Sequence, residues 1–71
     1  MDPLEIKHAI ERAGSSQSDI ARARGVTPAM VNRVIWNGDV SDHIRRAIAR
    51  TIGRPVEEVW PEYYLRKASN G

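Results

Sequence analysis

The 71-residue chain has no cysteine and no phenylalanine, and its aromatic complement is two tryptophans and two tyrosines. Without cysteine, neither a disulfide framework nor a thiolate metal site can be built. No apolar run approaches the length of a bilayer-spanning helix. The opening MDPLEIKH lacks the basic stretch of a secretory signal, so a cytoplasmic protein with no membrane contact is expected. No segment reads as a strand, and there is no repeat, low-complexity tract or interdomain linker. The glycines are scattered as helix terminators and form no phosphate-cradling loop. Ser15, Ser16 and Ser18 lack both a GxSxG context and an acid–histidine partner at recognisable spacing. His8 and His43 fall on different segments, with no carboxylate spacing around them that would make a metal site. The expectation is therefore no enzyme, no metal, no cofactor and no small-molecule substrate. The few aromatic residues also give no stacking platform of the kind used by single-strand binders.

What is present is a short, mildly basic chain with a formal net charge of +2. Its length allows one domain with a small, mostly helical core. The charge is unevenly spread. Residues 17–37 hold Arg22, Arg24 and Arg33 against Asp19, and residues 39–54 hold Arg45, Arg46, Arg50 and Arg54 against Asp39 and Asp42. Both ends lean acidic, with Glu5 and Glu11 in front and Glu57, Glu58 and Glu62 behind. A basic middle suits one surface facing a polyanion; an ordinary solvated mixture of charges would read the same way.

The chain is organised around QSDIARARGVTPAMVNRVIW, residues 17–36. Ser16 is placed to cap a first helix, with Asp19 in the capping-box position, and Gly25 to end it in the left-handed conformation. Thr27 then caps a second helix with Pro28 at its first position, where a missing N–H costs nothing. Asn37-Gly38 closes it. Ile20, Ala21, Val26, Val31, Val34 and Ile35 form the apolar set, with Ala21 small where the two helices cross. Ala29, Asn32, Arg33 and Trp36 recur at i, i+3, i+4, i+7 on the opposite stripe. Two short braced helices with one free face are the geometry of a DNA-reading helix-turn-helix. A generic helical hairpin explains the apolar positions but gives no reason for an outward Trp36.

The flanks read as support. Asp2-Pro3-Leu4-Glu5 is a helix start, and Ile6, Ala9, Ile10 and Ala13 give that first helix its apolar stripe before Gly14. Lys7 and Arg12 lie off the stripe, solvated or within reach of a phosphate. Residues 37–40 form a turn, and Ser41 caps a fourth helix whose core face is Ile44, Ala47, Ile48 and Thr51 or Ile52, ended by Gly53. Val56, Val59 and Trp60 close the bottom of the core in a short helix stopped by Pro61. The expected fold is thus all-α, a compact bundle of four to five short helices. Residues 1–61 form the helix-turn-helix domain and 62–71 a partly disordered C-terminal tail.

With the second and third helices as the crossing pair, this order is similar to the lambda-repressor and Cro domains of phages. Ala21, Gly25, Val31 and Val34 stand in register within Gln17–Gly38. The ending GRPVEEVWPEYY resembles the Ner proteins of transposable phages and their bacterial Ner-like relatives, which are small DNA-binding transcriptional regulators. The resemblance implies that the start of the third helix enters the major groove. Thr27, Pro28, Ala29, Asn32 and Arg33 are then the candidate base contacts: Asn pairs bidentately with adenine, Arg with guanine, and Pro28 and Ala29 offer apolar surface to a thymine methyl. Met30 either joins them or fills the edge of the core. By the same resemblance Gln17, at a helix N-terminus, holds a phosphate. Ser16 and Ser18 are near enough to assist, and Asn37, Arg45 and Arg46 are candidates on the other side. Trp36 lies either against the sugar–phosphate backbone or half-buried over the turn that follows.

The leading reading is a sequence-specific double-stranded DNA-binding regulator, a phage or prophage repressor that occupies an operator. One module this small makes too few base contacts for genomic specificity, so two copies on paired half-sites are expected, as a weak homodimer or one formed on DNA. The Trp60-Pro61-Tyr63-Tyr64 end is the apolar feature available to a second copy, or else packs within its own domain. The alternative is a protein-interaction or antitoxin-like module on the same fold.

Overall fold

The computed structural model describes residues 1–37 and 41–64. Five helices follow in order, α1 (Pro3–Arg12), α2 (Gln17–Arg24), α3 (Pro28–Asn37), α4 (Asp42–Ile52) and α5 (Val56–Val59), and no strand occurs among the described residues. Of the turn expected at 37–40, Asn37 instead ends α3, while 38–40, including the Gly38 stop, and residues 65–71 of the expected tail lie outside the described residues.

The first four helices each begin where a short polar side chain meets orphan backbone N–H groups, whereas α5 starts after Pro55 with no side-chain cap. At α1 the Asp2 carboxylate accepts from the Glu5 amide at 3.0 Å while the Glu5 carboxylate accepts from the Asp2 amide at 3.1 Å, a closed capping box. The Glu5 amide is also the first reason the Asp2 carboxyl titrates below its ordinary value. Ser16 accepts from the Asp19 amide at 3.1 Å, Thr27 from the Met30 amide at 3.2 Å and Ser41 from the Ile44 amide at 3.3 Å. At the end of α2, Gly25 adopts φ +72°, and the Val26 amide reaches back to the Ala21 carbonyl at 3.0 Å. That closure turns the chain from α2 into α3.

Gly25 therefore carries a direct test. A Cβ there would meet nothing within 4 Å, so Gly25→Ala costs only the left-handed backbone, about 1–2 kcal/mol. In a domain this small the melting temperature should fall by roughly 4–15 °C. An unchanged thermal transition by circular dichroism would contradict the assignment of the turn.

The interior is wholly apolar: no polar or charged described residue is fully buried. Ile6 and Ile10 of α1, Ile20 and Ala21 of α2, Val31, Val34 and Ile35 of α3, and Ile44 and Ile48 of α4 meet there, with Val59 and Trp60 closing one end. The Met1 ammonium donates to the Val59 carbonyl at 2.9 Å, joining the first residue to α5. The apolar pattern differs from expectation at Ala49, off the expected stripe yet buried to 3% exposure, and at Ala13, which is exposed; Ala47 and Ile52 pack half-buried on the core. A helix enclosed by neighbours on two sides buries a wider arc than a one-face stripe accounts for, and α4 packs against α1, α2, α3 and α5.

α5 ends before Pro61 as expected, but the proline also begins a further turn. α5 ends at Val59, Trp60 leaves the helix at φ −130° and ψ 70°, and residues 61–64 are again helical. Pro61 stands at the first position of that turn, where its fixed φ suits helix initiation. The turn brings Tyr63 and Tyr64 back against the core, both half-buried.

Candidate nucleic-acid interface

The packing of α2 against α3 is the most extensive between any two helices. Ala21, 1% exposed, lets the two come close, and Val31, Val34 and Ile35 anchor α3 at 0%, 0% and 2%. A helix of ten residues held along this stripe has little freedom to roll. Its opposite face presents Ala29, Arg33 and Trp36 as exposed residues and Asn32 as half-buried. Trp36 is 53% exposed, which places an indole at the outer end of the face. Arg33 pairs with no carboxylate among the described residues, so its guanidinium is available to a partner. Met30 resolves toward the core edge: it is half-buried and packs on the apolar cluster.

At the start of this face, Thr27 and Pro28 are exposed, and the Thr27 hydroxyl is already engaged as the α3 cap. The Ser16 hydroxyl is likewise engaged at α2, whereas Ser18 is exposed and Gln17 half-buried. Here α1 contributes more than scaffold. Lys7, with Ile10 and Glu11, shares a depression of about 210 Å³ with Ser16, Gln17 and Ser18. Lys7 thus lines the same depression as the start of α2, whose amide groups suit a phosphate oxygen. Its position off the α1 stripe was the only sign of this in the sequence.

On the far side of α3 the structure redraws the candidates. Asn37 is exposed, and its carbonyl accepts from the Tyr63 hydroxyl at 2.9 Å. Arg46 has an exposed side chain whose Nε donates to Asp42 at 2.8 Å, and its guanidinium lies 5.6 Å from the Tyr64 ring. Arg45 is turned inward, against expectation. Its side chain is only 11% exposed, its Nε donates to the Tyr64 hydroxyl at 3.0 Å, and its guanidinium stacks 4.9 Å from the Tyr63 ring. Arg45 thus joins the C-terminal turn to α4, with most of its side chain turned from solvent. The same contacts revise the tyrosine pair: Tyr64 packs within its own domain, as Trp60 does at 3% exposure, leaving neither as a free apolar patch.

The Tyr64 hydroxyl also donates to the Asp42 carboxylate. That bond comes first, and the Arg46 pair second, in holding the Asp42 carboxyl below its ordinary value. The stability this contributes is present above the carboxyl's ordinary range and is lost as pH falls through its lowered native value. Tyr64→Phe should accordingly move the Asp42 titration upward, read from the side-chain carboxyl carbon by NMR; an unmoved titration would contradict the assignment.

Among the described residues no group of three or more His, Asp or Glu is placed to hold a metal, and no helix is long and apolar enough to cross a membrane. The crossing of α2 and α3, the turn at Gly25 and the free face of α3 define a helix-turn-helix DNA-binding domain. A family model for winged helix-turn-helix DNA-binding domains matches residues 1–70, and the chain belongs to that family. No curated protein and no solved structure matches it. The β-wing in the family's description is not among the described residues, whose regular structure is all helical.

Proposed function

We propose that the protein is a sequence-specific transcriptional regulator of the Ner-like phage or prophage kind, a cytoplasmic repressor that occupies an operator with α3 in the major groove. The observation that carries this reading is the unpaired, exposed Arg33 beside Asn32 on a helix immobilised from behind by Val31, Val34 and Ile35. Arg33 and Asn32 supply bidentate contacts to guanine and adenine, while Thr27, Pro28 and Ala29 line the groove around them. Gln17, Ser16 and Ser18, supported by Lys7, hold one phosphate strand, and Trp36, Asn37 and Arg46 lie toward the other. Two copies bind adjacent half-sites and associate on the DNA, because a single α3 reads too few base pairs to outcompete non-specific sites.

Selection of bound duplexes from a random-sequence pool at roughly physiological salt tests this. The expected result is an enriched motif with two related half-sites about one helical turn apart. Salt-sensitive binding with no enrichment would overturn sequence reading and favour the protein-interaction module.

A further inference from the structure

A second surface lies away from the α3 face. An open groove of about 650 Å³ runs between α2, α4 and the start of α5, and no α3 residue lines it. Its α4 wall carries His43, Arg46, Ala47 and Arg50 at i, i+3, i+4 and i+7, with Ala49 and Thr51 beside them, and Arg54 follows beyond the Gly53 cap. At 1.5 Å per residue the stretch from His43 to Arg50 is roughly 10 Å long, about two helical turns. Ile20, Ala23, Ala47 and Val56 make an apolar floor, and the alanines leave it open.

The rim is strongly one-signed. Arg24, Arg46, Arg50 and Arg54 line it against one carboxylate, Glu57. Arg46 is paired with Asp42, and Arg54 with Glu58. Arg24 and Arg50 are exposed and pair with no carboxylate among the described residues. Two free guanidiniums on opposite walls of an apolar channel meet two demands at once. Their planar forks match carboxylates, and the floor takes aliphatic side chains between them. A phosphate backbone would use the arginines but leave the apolar floor without a partner.

From this charge complementarity we infer that the α2–α4–α5 groove is a docking site for an acidic amphipathic helix of a partner protein. Leucine-sized side chains enter over Ala23 and Ala47, and glutamates reach Arg24 and Arg50. No α3 residue belongs to the site, and Arg46 is the one residue it shares with the proposed phosphate contacts.

The probe is a synthetic amphipathic helical peptide with leucines at i, i+3 and i+7 flanked by glutamates, titrated into the ¹⁵N-labelled full chain. Saturable shifts at the amides of Ala23, Arg24, Ala47, Arg50 and Val56, with residues 29–33 unmoved, are the expected result. Arg24→Glu with Arg50→Glu should weaken the peptide at least about tenfold through like-charge opposition while the remaining spectrum stays folded. A glutamine-for-glutamate version of the peptide should fail on the unaltered chain. A random-sequence duplex titrated in parallel separates the alternatives. If the duplex moves the groove amides and displaces the peptide, the groove is a phosphate-contacting surface and the inference is overturned. If the peptide gives no saturable shifts there, it is overturned as well. Failure of the duplex to move residues 27–33 would count against DNA reading alone and leave the groove result standing.

Discussion

Arg33→Ala is expected to remove about 1–3 kcal/mol of specific affinity, roughly a 5- to 150-fold loss, while leaving binding to unrelated duplexes nearly intact. The asymmetry follows from where the side chain sits. Arg33 is exposed, pairs with no described carboxylate and projects from the face opposite Val31 and Val34. Removing it breaks no internal bond, so thermal stability should stay within about 0.5 kcal/mol. Fluorescence anisotropy with the enriched duplex and with a scrambled one measures both affinities. An equal loss on the two duplexes would make Arg33 a phosphate contact and shift base reading to Asn32. Stability unchanged with specificity lost is the signature of a reading residue.

Ile48→Ala should act in the opposite way, through the fold. Ile48 is 0% exposed on α4, the helix that packs against all the others. Truncating a buried isoleucine costs about 2–5 kcal/mol through lost burial and the cavity left behind. A core in a domain of this size rarely supplies more than about 3–5 kcal/mol in total. The variant should therefore be largely unfolded at physiological temperature, with the cooperative melting transition weak or gone. Ile48→Val, at about 0.5–1.5 kcal/mol, should keep the transition and full DNA affinity. If Ile48→Ala melts like the parent, the packing described for α4 is wrong.

The residues that were legible in the sequence are those whose cause is local. Asp2, Ser16, Thr27 and Ser41 each satisfy an amide three residues ahead, and Gly25 and Gly53 each close a helix at φ +72°. Such interactions depend on a short stretch of chain, so the helix starts and stops appear directly in the residue order. The stripes of α2 and α3 are legible for the same reason. What depends on distant neighbours was not. Ala49 is buried because helices enclose α4 on several sides, which its own periodicity does not record. Arg45 reads as one more surface arginine until the turn at 61–64 delivers Tyr63 and Tyr64 to it, 19 residues further along the chain at the Tyr64 hydroxyl. Pro61 reads only as a stop because the residue type both ends and begins helices, and here it does both: α5 ends before it and a further turn starts on it. The free face of α3 was legible; that Lys7 of α1 lines the same depression as Gln17 required the tertiary fold.

The central claim is that α3 reads base edges in the major groove through Arg33. The most direct measurement is a double cycle on the enriched site with guanine replaced by 7-deazaguanine, which deletes the N7 acceptor without changing base pairing. The unaltered protein should lose affinity on the modified duplex at the guanine Arg33 contacts, and Arg33→Ala should bind both duplexes alike. If the unaltered protein does not distinguish the two at any guanine of the site, Arg33 does not read guanine in the major groove and the account is contradicted.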